Sequence, residues 1–298
     1  MPTRHNLLVL SLLCFAVGSG IGWSASRGGA RVQQAWPIFL RAQMLLTSVT
    51  LSVVAAWRLT GVGQLFGPLL LAGGLWVVLA AALLTRGRRS AGESALESWA
   101  AGPNSGFWAV PAAAAFAGAA GTMVAVLANV ITTFWGFVCV HLMRRDAPFP
   151  QRRATTWIDQ SPLAASVIGL LLHFGGHAPT STKEVLTLAG PFLAFSGGAL
   201  FAGSVAHPHN LSTARPTDAL ARLAWLTGVR VAYFLLIAAL TSSKPLAVVA
   251  ALSALCAPTF QPIQLAVLYG YRSGVVNAAV RWEWALAPFG LGLAALLR

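Results

Sequence analysis

Gly102-Pro103-Asn104-Ser105-Gly106-Phe107-Trp108-Ala109-Val110-Pro111 sets two prolines and a carboxamide in an otherwise small or apolar run. Ala257-Pro258-Thr259-Phe260-Gln261-Pro262 repeats the combination later in the chain. Proline has no N–H to give and its ring clashes with the preceding turn, so a helix is expected to be interrupted at each stretch. In a bilayer the amides and carbonyls freed by such a break must meet protein or a watery cavity, because lipid offers them no partner. Two ordinary proline kinks would leave the same residues. Two breaks at matching places of a duplicated chain point instead to a binding site.

The composition requires the bilayer. Of 298 residues, 57% are hydrophobic and only 9% are Asp, Glu, Lys or Arg, against about 45–50% and about 25% in a soluble domain. So few charges cannot cover a water-facing surface, and disorder needs low hydrophobicity. An all-α polytopic membrane protein is the class that remains. At about 20 apolar residues per crossing, ten spans are expected near 6–23, 36–57, 65–84, 104–120, 122–142, 161–177, 185–206, 220–241, 245–264 and 276–296. They leave no room for a soluble domain. The first, with Arg4, Leu7–Val17 and the small residues Ser24-Ala25-Ser26, has features of a signal peptide. Its apolar stretch runs on to Trp23, which favours a retained helix.

Net charge is +13, which would suit a nucleic-acid partner were the charges gathered on one surface. They are instead distributed among loops. Arg27, Arg31, Arg86, Arg88, Arg89, Arg144, Arg145, Arg152, Arg153, Arg215 and Arg272 all fall in odd-numbered loops, whereas the opposite side holds only Arg4, Arg58, Lys183, Lys244 and Arg298. Positive loops stay in the cytoplasm, so both termini are expected outside it, in the inner or plasma membrane. The basic excess is topological, and the expected partners are the lipid bilayer and not nucleic acid. Cys14, Cys139 and Cys256 are widely separated in apolar surroundings, which indicates neither a disulfide framework nor a metal site.

Five spans precede the basic loop at 143–156 and five follow it. Five is odd, so residues 148–298 must enter the membrane in the opposite sense to residues 1–147. That is the plan of an inverted repeat, which places substrate near the midplane between discontinuous helices at corresponding positions. Here those are the fourth and ninth spans.

At these residues the chain resembles the auxin efflux carrier family of membrane transporters, which includes bacterial malonate and malate permeases. Asn104, Gly106, Phe107 and Pro111 match the family's Asn-x-Gly-Phe-x-Gly-x-Pro pattern, with Ala109 in place of its second glycine. Asn129, in Leu127–Phe134, looks like the asparagine of the family's fifth span. Ser161–Leu170, Leu188–Pro191 with Gly197–Leu200, and Pro258 through Tyr269-Gly270-Tyr271 are similar to later segments. Arg230 stands where the eighth span commonly has a lysine, and Gln261 where many members have asparagine, with Pro262 added. The resemblance implies a ten-helix fold of two inverted five-helix repeats with crossed, broken fourth and ninth helices. It also implies a permease for small organic anions, usually carboxylates, working without a cofactor. Asn104, Gly106, Pro111, Asn129, Pro258, Gln261, Pro262 and Arg230 are the substrate-binding residues it suggests.

The residues give their own reason for an anion. Half-helix N-termini present N–H groups and the positive end of the dipole, and carboxamides at 104 and 261 can donate to carboxylate oxygens. Ionisable groups within spans are functional hypotheses by default. Arg41 and Arg230 would either attract an anion or pair with Glu283, while Arg281 and Glu283 are expected to reach an interface. The remaining acids, Glu93 and Glu97 among them, are expected in loops or at span ends. His173 and His177, four apart, and His207 and His209 lack a carboxylate or thiolate to complete a metal set. Asn210-Leu211-Ser212 would face the cytoplasm. Trp23, Trp36, Trp57 and Trp99 suit an interfacial belt, whereas Trp108 adjoins the break. Small residues at Gly118, Gly121, Ala125 and Ala128 allow close helix approach, within the chain or in a homodimer. A membrane enzyme using His173/His177 or Glu283 on a lipid, and a non-transporting sensor, are the rival functions. Neither has a recognisable catalytic motif.

Overall fold

The computed structural model describes residues 4–29, 32, 42, 49–50, 52–59, 62–85, 90–146, 161–176, 190–199, 202, 217–256, 271, 283 and 285–297. They form helices α1 (Arg4–Ser26), α2 (Gly63–Leu84), α3 (Ala91–Ala100), α4 (Val110–Arg145), α5 (Ser161–Phe174), α6 (Thr217–Leu240), α7 (Lys244–Ala254) and α8 (Ala287–Leu296). Residues 52–57 and 190–199 are helical too, and no strand occurs among the described residues. Four helices, α1, α2, α4 and the Leu220–Leu240 part of α6, are long and apolar enough to cross a membrane.

The burial pattern of α1 reverses that of a soluble helix. Leu7, Ser11, Gly18, Gly22 and Ala25 face inward, mostly small, whereas Leu13 and Val17 are 58% and 56% exposed. Large apolar side chains on the outside and small ones in the seam suit a lipid solvent, where close packing and not water expulsion holds helices together. The seam is tight. A Cβ on Gly18 or Gly22 would overlap the backbone carbonyl of Phe195 or Ala199, and one on Gly198 would overlap that of Phe15. These three contacts bring the backbone of α1 directly against that of the stretch 190–199.

α4 is not one rod. Gly118 adopts φ 62°, ψ −152° within it, a conformation open essentially to glycine alone. The chain turns back there: a Cβ on Gly121 would lie 3.3 Å from the carbonyl oxygen of Ala113, although a straight helix would separate those residues by about 12 Å. Below the turn the partners follow in antiparallel order. Ser105 Oγ meets Asn129 Oδ1 at 2.8 Å, Trp99 packs on Gly136, Ser98 Oγ lies 3.9 Å from Cys139 Sγ, and Gly92 N–H donates to Asp146 Oδ2 at 2.9 Å. Residues 91–117 and 119–146 are thus the two arms of a helical hairpin, each about 40 Å long. Gly121 packs against Ala113 and Ala117, and Ala125 and Ala128 are buried. Gly121 thus serves the hairpin itself.

Three expectations change. The segment before residue 104 contains α3, started by Ser90, whose side chain accepts from Glu93 N–H at 3.1 Å. Ser90-Ala91-Gly92-Glu93 has the Ser-x-x-Glu spacing of a capping box. The helical segment expected from 104 therefore begins near 91, and the interruption at 101–104 falls at its middle and not at its start. Second, Pro111 interrupts nothing. A wide π-turn at Ser105–Ala109 runs straight into Val110, and Pro111 sits in the first turn of α4, where no intrahelical donor is required. Third, Trp99 is 8% exposed and packs on Gly136, so it belongs to the core and not to an interfacial belt. Trp23 is 40% exposed with Arg27 4.3 Å above its ring, as a helix end at an interface would have it.

The α3 start carries a pH dependence. Asp146 accepts from Gly92 N–H and from Arg145, 2.8 Å away, and the Arg145 hydrogen bond, then the Gly92 one, hold its carboxyl below the usual range. Between the folded and unfolded values the folded chain binds fewer protons, so stability rises with pH in that window. Wild type is therefore expected to exceed Asp146→Ala in thermal stability by a constant margin from neutral pH downward. The margin should begin to close below about pH 4, as scanning fluorimetry across pH would show.

Candidate functional site

The site is built on the gap between α3 and the Ser105–Ala109 turn. α3 ends because Pro103 cannot continue it, and Ala101 and Gly102 are left with carbonyls at its negative end. Beyond the gap the helix restarts on Asn104, whose carbonyl accepts from Trp108 N–H at 3.2 Å and Ala109 N–H at 3.1 Å. Asn104 is 4% exposed. Ser105 Oγ donates to Asn129 Oδ1 across the hairpin at 2.8 Å, a bond that occupies the oxygen of the carboxamide. Gly106 permits this approach, since a Cβ there would stand 3.3 Å from Asn129 Oδ1.

α7 arrives from the other half of the chain. Leu246 to Ala254 are all buried, as expected of a helix surrounded by protein. It ends with Leu255 at φ −114°, ψ 44°, just before Ala257-Pro258. The Cys256 thiol that follows is within hydrogen-bonding reach of the Asn104 backbone amide. The gap after α3 and the end of α7 thus meet. Pro258, Gln261 and Pro262 lie outside the described residues. So do Arg41, Arg281, Trp36, His177, His207, His209 and Asn210. His173 stacks edge-on against Phe174, 5.3 Å between ring centres, and no group of His, Cys, Asp or Glu among the described residues is arranged to hold a metal.

Arg230, near the middle of α6, supplies the charge. It is fully buried. Its Nη1 donates to Ala101 O at 2.8 Å, to Gly102 O at 3.4 Å and to Glu283 Oε2 at 3.0 Å, while Thr227 Oγ1 donates to Glu283 Oε1. Glu283 is 5% exposed. This corrects its expected place at an interface: a carboxylate whose partner is buried is drawn in with it, because either charge alone would be far costlier. The rest of the guanidinium is unspent. Nε and Nη2 of Arg230 are buried and have no hydrogen-bond partner among the described residues. These two N–H groups form the side-on edge of the fork, the geometry that receives a carboxylate or phosphate bidentately. Buried donors are rarely left unpaired, and each such case calls for an explanation.

A second buried pair stands two turns away. Arg222 Nε meets Glu97 Oε2 at 2.8 Å, tying α6 to α3, so Glu97 lies in a helix interior and not in a loop. Arg222, Leu226 and Arg230 recur on one buried face of α6. Trp76, stacked on Trp135 at 5.1 Å, packs over Gly102. The indole N–H groups of Trp76 and Trp135 are also buried without a partner among the described residues. Tyr233 donates to Leu70 O inside the π-turn Leu69–Gly74 of α2, where the widened helix makes room for it beside Gly74. Tyr271 donates to Met143 O at 2.8 Å below the site, its hydroxyl pushed up to about 12 by burial and by nearby Asp146 and Glu93.

Of the residues singled out from sequence, Asn104, Gly106, Asn129 and Arg230 line or adjoin this gap. Pro111 faces away, its Cα 3.4 Å from where a Cβ on Gly190 would be. Ser105, Cys256 and the Arg222–Glu97 pair were missed, whereas pairing of Arg230 with Glu283 was one of the two alternatives open in the sequence. The available signal was the spacing of two arginines eight apart in an apolar helix, which demands two acids elsewhere. No protein-family model matches the chain, and no curated protein matches its sequence.

Proposed function

We propose that the protein is a secondary transporter of small organic anions, carboxylates in particular, working by alternating access in the cell membrane. The observation that carries this reading is the unpartnered Nε/Nη2 edge of Arg230, fully buried beside an interrupted helix. A planar carboxylate satisfies both donors at once, and the adjoining Asn129 amide offers a further donor. The approach of Asn104 to Cys256 supports an arrangement in which the fourth and ninth spans cross at their breaks. The full proposal is therefore ten spans in two inverted halves, 1–147 and 148–298, with both termini outside the cytoplasm and membership of the auxin efflux carrier family.

Uptake of labelled pyruvate and malonate into liposomes holding the purified protein tests the function. Arg230→Lys keeps a cation for Glu283 but has no side-on fork. Loss of a charge-assisted hydrogen-bond pair costs about 1.5–3 kcal/mol, so uptake at low substrate is expected to fall about 10- to 100-fold. Equal, non-saturable uptake by wild type and variant would refute the proposal.

A further inference from the structure

We propose that Glu283 is a proton-binding site, so that a carboxylate held at the Arg230 fork travels together with one proton. This rests on the anion-transport reading of Arg230 and adds its coupling ion. Arg230 carries one positive charge, already balanced by Glu283 on its Nη1 side. A carboxylate on the Nε/Nη2 side would place two negative groups on one buried cation. Two carboxylates sharing one site do not both stay ionised, and the pair retains a proton.

The surroundings indicate which group takes it. Among the described residues, the charged and titratable groups facing Glu283 are Arg230 on α6 and the Cys256 thiol after α7. The α3 end offers Arg230 only the carbonyls of Ala101 and Gly102. The other buried pair, Arg222–Glu97, is neutral in itself and lies about 12 Å along α6. No second cation is therefore available to offset the incoming charge among these residues. Thr227 makes the protonated form easy to hold. Its hydroxyl now donates to Glu283 Oε1, and a hydroxyl both donates and accepts. A proton bound at Oε1 can be donated back to Thr227 Oγ1, while Oε2 still accepts from Arg230 Nη1. An O–H bond forms at Oε1 with a proton drawn from the water on the side where the site is open. It breaks on the opposite side when the anion leaves. For a monocarboxylate the loaded and empty sites then carry the same net charge, which removes the electrostatic barrier to carrying a lone anion through the membrane.

Calorimetric titration of sodium pyruvate into the purified full chain, in two buffers of different ionisation enthalpy, reads the proton directly. Wild type is expected to take up about one proton per pyruvate, with affinity falling about tenfold per unit rise in pH. Glu283→Gln, which keeps an acceptor for Arg230 but cannot titrate, is expected to bind pyruvate without proton uptake and without pH dependence. Pyruvate binding to wild type with no proton uptake overturns the inference and leaves the anion site standing. Proton uptake undiminished in Glu283→Gln overturns it as well. Absence of any pyruvate or malonate binding by wild type removes the carboxylate reading, and the inference with it. Should Glu283→Gln fail to fold, the wild-type proton count decides alone.

Discussion

Arg230→Met is expected to lower the stability of the purified protein by about 3–5 kcal/mol, because it strands Glu283 as a buried charge without its partner. The carboxylate has only Thr227 left as a donor among the described residues. The carbonyls of Ala101 and Gly102 lose the N–H group that donated to them. The control is the double substitution Arg230→Met with Glu283→Leu. Replacing both members of a buried pair by apolar groups is often neutral, so most of the loss should be recovered. Thermal unfolding in detergent, followed by tryptophan fluorescence, measures both. A single variant as stable as wild type would mean that Glu283 finds another partner or sits neutral. A double variant no better than the single would place the loss in packing rather than in charge. The double variant also separates structure from function, since it is expected to fold yet bind no carboxylate.

Gly118→Ala is expected to cost about 1–3 kcal/mol, the penalty for a side chain at a backbone conformation that only glycine adopts freely. Its backbone geometry, φ 62° and ψ −152°, lies well outside the right-handed regions. The effect should be more than a local loss, because this one residue reverses the chain and brings 91–117 against 119–146. A proximity readout distinguishes the two. Ser98 Oγ and Cys139 Sγ are 3.9 Å apart, so Ser98→Cys should form a disulfide with Cys139 under mild oxidant. Adding Gly118→Ala is expected to reduce the yield of that bond. An unchanged yield with unchanged stability would show that residue 118 does not carry the turn.

Much of the architecture is legible in the residues because a bilayer imposes a simple rule: long apolar runs must be helices with their backbone groups satisfied internally. The expected spans at 6–23, 65–84 and 220–241 correspond closely to α1, α2 and α6. The failure at α3 has a physical cause. Ala91-Gly92-Glu93-Ser94-Ala95-Leu96-Glu97-Ser98-Trp99-Ala100 is too polar to pass an apolar-run test. It is nonetheless buried, because Arg222 neutralises Glu97, Cys139 faces Ser98, and Asp146 accepts from the helix start. Each of those partners is distant in sequence. Hydropathy counts a residue's cost in isolation, whereas burial depends on what it meets.

The candidate site divides in the same way. Asn104, Gly106, Asn129 and Arg230 could be singled out in advance, since polar groups and a break in an apolar chain require an explanation. That Ser105 holds Asn129, that Arg230 gives one edge to Glu283 and keeps the other open, and that Cys256 closes on Asn104 could not.

The sequence by itself determined the class of solvent, the helical state of the chain and the presence of an interruption at Pro103. These follow from local chemistry, namely apolar composition and a missing N–H. Only the tertiary structure decided that the interruption lies halfway along a hairpin arm, and that Glu283 is a buried partner instead of an interfacial charge. Depth and pairing are relations between distant residues. They are set by where a turn such as Gly118 folds the chain back, and by the high cost of leaving a charge alone in a medium that cannot solvate it.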